Sequence, residues 1–242
     1  MKKTLLLFFL GYFQLTVSPQ NLIKISPDLE LVKISENAYL HVSYATLKNY
    51  GRVSANGLIF TNKESAFLFD TPWNDSQTSD LISFLQDDMK LHVTGFVPNH
   101  WHDDCMGGLK YLKSQGIRSY ANQITIDIAK KKDLPIPDQG FSDSLKLSLG
   151  EKIIFCYFPG AAHSTDNIIV WFPSEGILFP GCICKSLDTD NPGNIADGDI
   201  NEYPKTLDRI IHKFKSARVV IPGHGSPGGP ELLIHTRMIF ER

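Results

Sequence analysis

The 242-residue sequence has no excess of charge of either sign: 24 lysines and arginines stand against 26 aspartates and glutamates, a formal charge of -2. A protein that neutralises phosphates needs a basic face, so nucleic acid is not an expected partner. Beyond the first twenty residues no apolar run approaches the roughly 20 residues needed to cross a bilayer, which argues against a membrane anchor there. No low-complexity linker divides the chain. Cysteine is scarce, with four residues. Cys182 and Cys184 are separated by one residue; on an extended backbone their side chains point the same way about 6.6 Å apart, near the limit for a bridge. At least one of them is therefore better read as a metal ligand than as half of a disulfide. What is present suits one ordinary globular domain, since hydrophobic residues make up 42% of the chain.

The start of the chain differs from the rest. Lys2 and Lys3 precede an apolar stretch from Leu5 to Phe13, interrupted only by Gly11, and a small, polar region follows through Ser18. This is the layout of a cleaved secretory signal spanning residues 1–20, with the mature start within a few residues of Gln20. The mature protein is then expected to be soluble and periplasmic, without stable membrane association, and monomeric.

Residues 21–242 read as a single domain in two halves. Alternating, β-branched or aromatic stretches predict strands at Glu30–Ile34, Ala38–Ser43, Ser54–Thr61 and Glu64–Phe69, with a turn at Asn62-Lys63. Ser76–Asp87 carries Leu81, Ile82, Phe84 and Leu85 at helical spacing, with Ser79 or Asp80 as a cap. His92–Val97 is a buried strand. Gly107–Gln115 and Asn122–Lys132 are helices. Strands then recur at Leu145, Ile153–Phe158, Asn167–Phe172, Gly176–Phe179 and Cys182–Cys184, followed by a helix over Tyr203–Phe214, a strand at Arg218–Ile221 and a terminal helix from Glu231. Strands followed by helices, twice over, describe an α+β chain whose two sheets pack face to face in a four-layer αβ/βα sandwich.

The chemistry concentrates in Asn99-His100-Trp101-His102-Asp103-Asp104. On an extended backbone residues two apart share a face, so His100, His102 and Asp104 can reach one space. Imidazole nitrogen and carboxylate oxygen are both zinc ligands, at about 2.0 to 2.2 Å. His163, Cys182 and His224 stand at the ends of later strands, each beside glycines that allow tight turns. His41, His92, His212 and His235 have no such setting and read as surface or packed residues.

These segments, His-x-His-x-Asp, Gly-x-x-His-Ser-x-Asp-Asn, Gly-Cys-x-x-Lys, Gly-Asn and Pro-Gly-His-Gly, resemble the class B metallo-β-lactamases, in particular their first, di-zinc subclass, over nearly the whole mature chain. The resemblance implies two Zn2+ per chain, one held by His100, His102 and His163 and the other by Asp104, Cys182 and His224. It implies hydrolysis of the lactam amide of penicillins, cephalosporins and carbapenems, and hence antibiotic resistance. Zinc lowers the pKa of a bound water to about 7, so no serine nucleophile is required. Asp104 would orient that water and relay its proton. Lys185 would grip the substrate carboxylate, Asn194 would aid the carbonyl oxygen, and Tyr50 would lie near the tip of a mobile hairpin, Tyr44–Val53, that covers the small-molecule β-lactam. Asp70 and Cys105 would lie beside the ligands and tune them, with Cys105 open to oxidation. A glyoxalase-like or lactone hydrolase of the same superfamily would carry His directly after the metal Asp and a bridging Asp, where this chain has Cys105 and Cys182. A zinc-binding protein without catalysis would need a closed coordination shell, whereas three ligands per metal leave positions open.

Overall fold

The structure is a computed structural model that describes residues 22–241. The expected signal segment lies outside the described residues. Eight strands adjacent in chain order form the first sheet: β1 (Leu22–Ser26), β2 (Leu29–Lys33), β3 (Ala38–Leu47), β4 (Gly51–Asn62), β5 (Ser65–Phe69), β6 (His92–Val97), β7 (Arg118–Asn122) and β8 (Gln139–Phe141). Pairing is antiparallel from β1 to β5 and parallel from β5 to β8. Parallel neighbours need crossovers, and helices fill them: α1 (Asp75–Asp87), then α2 (Asp103–Met106) and α3 (Leu109–Ser114), then α4 (Gln123–Lys131). The second sheet contains β9 (Ser144–Leu149), β10 (Lys152–Tyr157), β11 (Ile169–Phe172), β12 (Ile177–Gly181) and β13 (Val219–Pro222), in the order β13-β12-β11-β10-β9. Only β12 and β13 are parallel there, joined through α5 (Tyr203–Lys213), and α6 (Glu231–Ile239) follows.

The two-residue period of the strands sorts side chains between layers. Leu58, Phe60, Phe67 and Phe69 meet Val170, Phe172, Ile177 and Phe179 between the sheets, where Phe172 packs tilted against Phe60 and edge-on to Phe69 at centroid distances of 4.7 and 5.1 Å. The intervening residues Ile59, Ala66 and Leu68 turn outward to α1, α2 and α3. Ile169, Leu178 and Val220 turn the other way, to α5 and α6. Three apolar layers between four polypeptide layers make the αβ/βα sandwich expected from the element order.

Several local readings need correction. Cys182–Cys184 is a turn, not a strand, because Gly181 at φ +56 reverses the chain there. The geometric case against a bridge therefore does not apply to this segment; all four cysteines are free and buried. The expected helix Gly107–Gln115 is present as α3, two residues shorter at its start, and α2 just before it, separated by Gly107-Gly108, was not expected. The cap of α1 is Asn74, whose side chain accepts from the Gln77 amide, not Ser79 or Asp80. The hairpin expected at Tyr44–Val53 is formed, its ladder running out to Leu47–Gly51.

Strand direction explains where the site forms. β5, β6 and β7 are parallel, and β10, β12 and β13 point one way within the second sheet, so the loops after β5, β6, β10, β12 and β13 emerge at strand ends of common sense. Those loops carry Asp70, the 99–104 segment, His163, Cys182 and His224.

Candidate metal centre

His100 and His102 follow β6 in a non-regular turn, and Asp104 is already inside α2, with His102 at the N-cap. The three side chains thus converge through a strand-to-helix turn and not through extended alternation. Nε2 of His100 lies 2.8 Å from Nδ1 of His102, and Nε2 of His163 lies 3.3 Å from that same Nδ1. A second trio stands beside them. Oδ2 of Asp104 is 3.2 Å from Nε2 of His224 and 3.5 Å from Sγ of Cys182, and Cys182 is 3.4 Å from His224. Two donors of one tetrahedral zinc lie about 3.3 to 3.8 Å apart, given bond lengths of about 2.0 to 2.3 Å. Gly223 allows this approach: a Cβ there would stand 2.4 Å from Cys182 Sγ.

The donor chemistry fits a cation. Burial holds His100 neutral, its pKa pushed down to about 3, and burial likewise keeps His163 well below the ordinary imidazole range. A shared proton satisfies two nitrogens, not three, so the first trio presents convergent lone pairs. In the second trio burial alone would raise the Asp104 pKa, but the His224 imidazole more than reverses this and the carboxyl is held below its usual range. A hydrogen bond from Cys105 leads the forces that bring the Cys182 thiol down to about 6. Burial opposes protonation of His224, yet the Cys182 and Asp104 charges raise its pKa well above the ordinary value. The proton on His224 then stands between two anions, in the place a metal ion would take.

Asp70 and Cys105 pack beside these donors. The buried Asp70, at φ +59, accepts a hydrogen bond from the Asn99 amide, and burial raises its pKa well above the carboxylate range. Sγ of the buried Cys105 lies 3.3 Å from Nδ1 of His100, and donor atoms of His100, Asp104, Cys105 and Cys182 all lie within 4.8 Å of one another. Lys185 is buried, and its Nζ donates to the Cys182 carbonyl at 3.0 Å. Burial lowers its pKa, and its charge in turn contributes to the lowering at His100 and His163. Asn194 is exposed, with Oδ1 accepting from the Ala196 amide at 3.1 Å, so its carbonyl end serves its own loop. Tyr50 sits at the hairpin turn and is 68% exposed.

Sequence reasoning missed Asp197, whose Oδ2 lies 3.0 Å from Nε2 of His102. Engaging that nitrogen fixes the ring with Nδ1 toward the trio. Asp197 lies 95 residues from His102, in a loop without a repeated pattern to mark it. Trp101, between the two histidines, packs edge-on to His102 at 4.5 Å beneath the ammonium of Lys132.

A four-layer sandwich with buried nitrogen, oxygen and sulfur donors at one rim defines the class: a metallohydrolase of the αβ/βα architecture. The chain matches no protein-family model. It is 48% identical over 240 residues to the type 2 metallo-β-lactamase of Bacteroides fragilis, covering 99% of this chain and 96% of that one. The type 2 enzyme of Bacillus cereus is 31% identical over 208 residues, 86% of this chain and 81% of that one. Among solved structures, the metallo-β-lactamase from Pontibacter korlensis superposes with a TM-score of 0.85 at 36% identity, covering 88% of this chain and 99% of that one. The DIM-1 metallo-β-lactamase exposed to ceftazidime gives 0.84 at 34% identity, over 89% of this chain and 97% of that one. The chain belongs to the metallo-β-lactamase family.

Proposed function

We propose that this protein is a zinc hydrolase of the first metallo-β-lactamase subclass, opening the lactam amide of penicillins, cephalosporins and carbapenems with two metal positions per chain. The observation that carries the reading is the pair of donor trios at one rim, His100, His102 and His163 beside Asp104, Cys182 and His224. Zinc bound there supplies a Lewis acid and makes water a nucleophile near neutral pH. Asp104, ionised within the second trio and close to the first, would orient an attacking water and accept its proton. Lys185 spends one ammonium hydrogen on the Cys182 carbonyl and keeps two for the carboxylate of the substrate. The Asn194 Nδ2 group donates to the lactam carbonyl oxygen, since only its Oδ1 is engaged. Tyr50 and its hairpin cover the bound molecule and exclude water. Cys105 and Asp70 hold His100, Cys182 and the Asn99 turn in place.

Residues 21–242 act as a single monomeric domain, exported to the periplasm by the signal at 1–20. Among the described residues no helix is long and apolar enough to cross a membrane. The test is to purify the mature protein, measure zinc per chain, and follow hydrolysis of a penicillin and a carbapenem with and without a chelator. Two zincs and chelator-sensitive opening of both lactams are expected. Activity that survives chelation, or metal-replete protein that leaves every lactam intact, overturns the reading.

A further inference from the structure

One anchor beside the metal centre is used by neither the motifs nor the chemistry above. β4 pairs with β3 along its length, but its pairing with β5 begins only at Leu58. The stretch 51–57 therefore has one edge without a strand neighbour, and the turn Pro222–Gly225 docks on it. Ser54 and Asn56, two residues apart, offer their backbone groups to the same edge. The Asn56 amide donates to the Gly223 carbonyl at 2.8 Å, while its side-chain Nδ2 donates to the Pro222 carbonyl at 2.9 Å and the Gly225 carbonyl at 2.8 Å. Both hydrogens of the NH2 group are used, and Asn56 is only 3% exposed. His224 stands in the middle of the clamped turn, with Nδ1 donating to the Ser54 carbonyl. That bond leaves Nε2 as the nitrogen aimed at Asp104 and Cys182.

We infer that Asn56 is a positioning residue for the second donor trio: by clamping the carbonyls on either side of His224 it fixes the imidazole against Asp104 and Cys182. The first trio takes no ligand from this turn, because His100, His102 and His163 come from the loops after β6 and β10. The effect of losing the clamp is therefore selective between two cations. Asn56 also lies on the strand that carries the Tyr50 hairpin, so the cover and the second trio share one support. The inference rests on the proposed reading that Asp104, Cys182 and His224 hold a metal.

The experiment compares wild type with Asn56→Ala, which removes both side-chain donors. Metal-free protein is titrated with Zn2+ against a chromophoric chelator, and in parallel with Co2+, following the thiolate-to-cobalt absorption given by Cys182. Expected is a loss of about 10- to 100-fold in the affinity of the second zinc, a weakened cobalt-thiolate band at equal loading, and little change in the first zinc. An unchanged second step overturns the inference. So does equal weakening of both steps together with a fall in Tm, which is the signature of a general structural role. Wild type that takes up a single zinc sinks the two-metal reading itself, and this inference with it. Should Asn56→Ala not fold, Asn56→Ser, with one donor on a smaller side chain, carries the same test with an intermediate loss expected. Collapse of both variants assigns Asn56 to the fold at large and overturns the proposal.

Discussion

Cys182 and Lys185 are three residues apart and are expected to fail differently. Cys182→Ser exchanges a thiolate, held at a pKa of about 6, for a neutral hydroxyl between Asp104 and His224. Zinc per chain, read by elemental analysis after dialysis, should fall from two toward one, and kcat should fall with it. Lys185→Ala leaves both trios intact and removes the ammonium assigned to the substrate carboxylate. A charge-assisted hydrogen bond is worth about 1.5 to 3 kcal/mol, so KM should rise by about 10- to 150-fold while kcat changes less. Steady-state kinetics on one penicillin separates the two, and equal small effects from both substitutions would contradict the assigned roles. Cys182 was legible because it stands in Gly-Cys-x-x-Lys. Its contact with Cys105 was not, since it depends on how a turn after β12 meets a turn after β6.

At the scale of elements, α1 shows what periodicity misses. Its apolar positions, Leu81, Ile82 and Leu85, lie toward the C-terminal half, so spacing alone draws the start too late. The first turn is held by polar groups instead: the Asn74 side chain accepts from Gln77, and the Thr78 hydroxyl donates back to the Asn74 carbonyl. Asn74→Ala should cost about 1 kcal/mol, a fall of about 2 to 4 °C in Tm for a chain of this size. Calorimetry with unchanged KM would distinguish this from damage to the site. The break between α2 and α3 has a similar origin in close packing that no local pattern encodes: a Cβ at Gly108 would stand 1.9 Å from the Thr78 hydroxyl, and one at Gly107 would stand 2.2 Å from the Trp73 carbonyl. Strands were read more easily than helices here because burial on both faces makes runs such as Phe67-Leu68-Phe69 apolar throughout, whatever lies beyond them.

For the whole molecule, protons and metal compete for the same architecture. His41 lies beneath the centre, buried, with Nε2 donating to the Asp70 carbonyl at 2.9 Å. Burial pushes its pKa down to about 4, against the hydrogen bond that raises it, and burial pushes His100 down to about 3. A histidine whose folded pKa lies below its unfolded value near 6.5 contributes stability that is complete above that value and is lost as pH falls toward the folded one. For His41 the full loss is about 3 kcal/mol, reached only near pH 4. The metal-free protein should therefore lose Tm continuously below about pH 6.5, and His41→Gln, which keeps a donor for the Asp70 carbonyl and cannot titrate, should flatten that slope. Bound zinc adds stability by mass action, about 4 kcal/mol at a thousandfold excess over Kd. It binds only deprotonated ligands, so acid erodes this contribution as well. Scanning calorimetry at pH 7, 6 and 5, with zinc and with chelator, should show both curves falling and the gap between them narrowing. A gap that stays constant across that range would mean that the stabilising metal is not held by His224 and Cys182, the donors on which protons compete there.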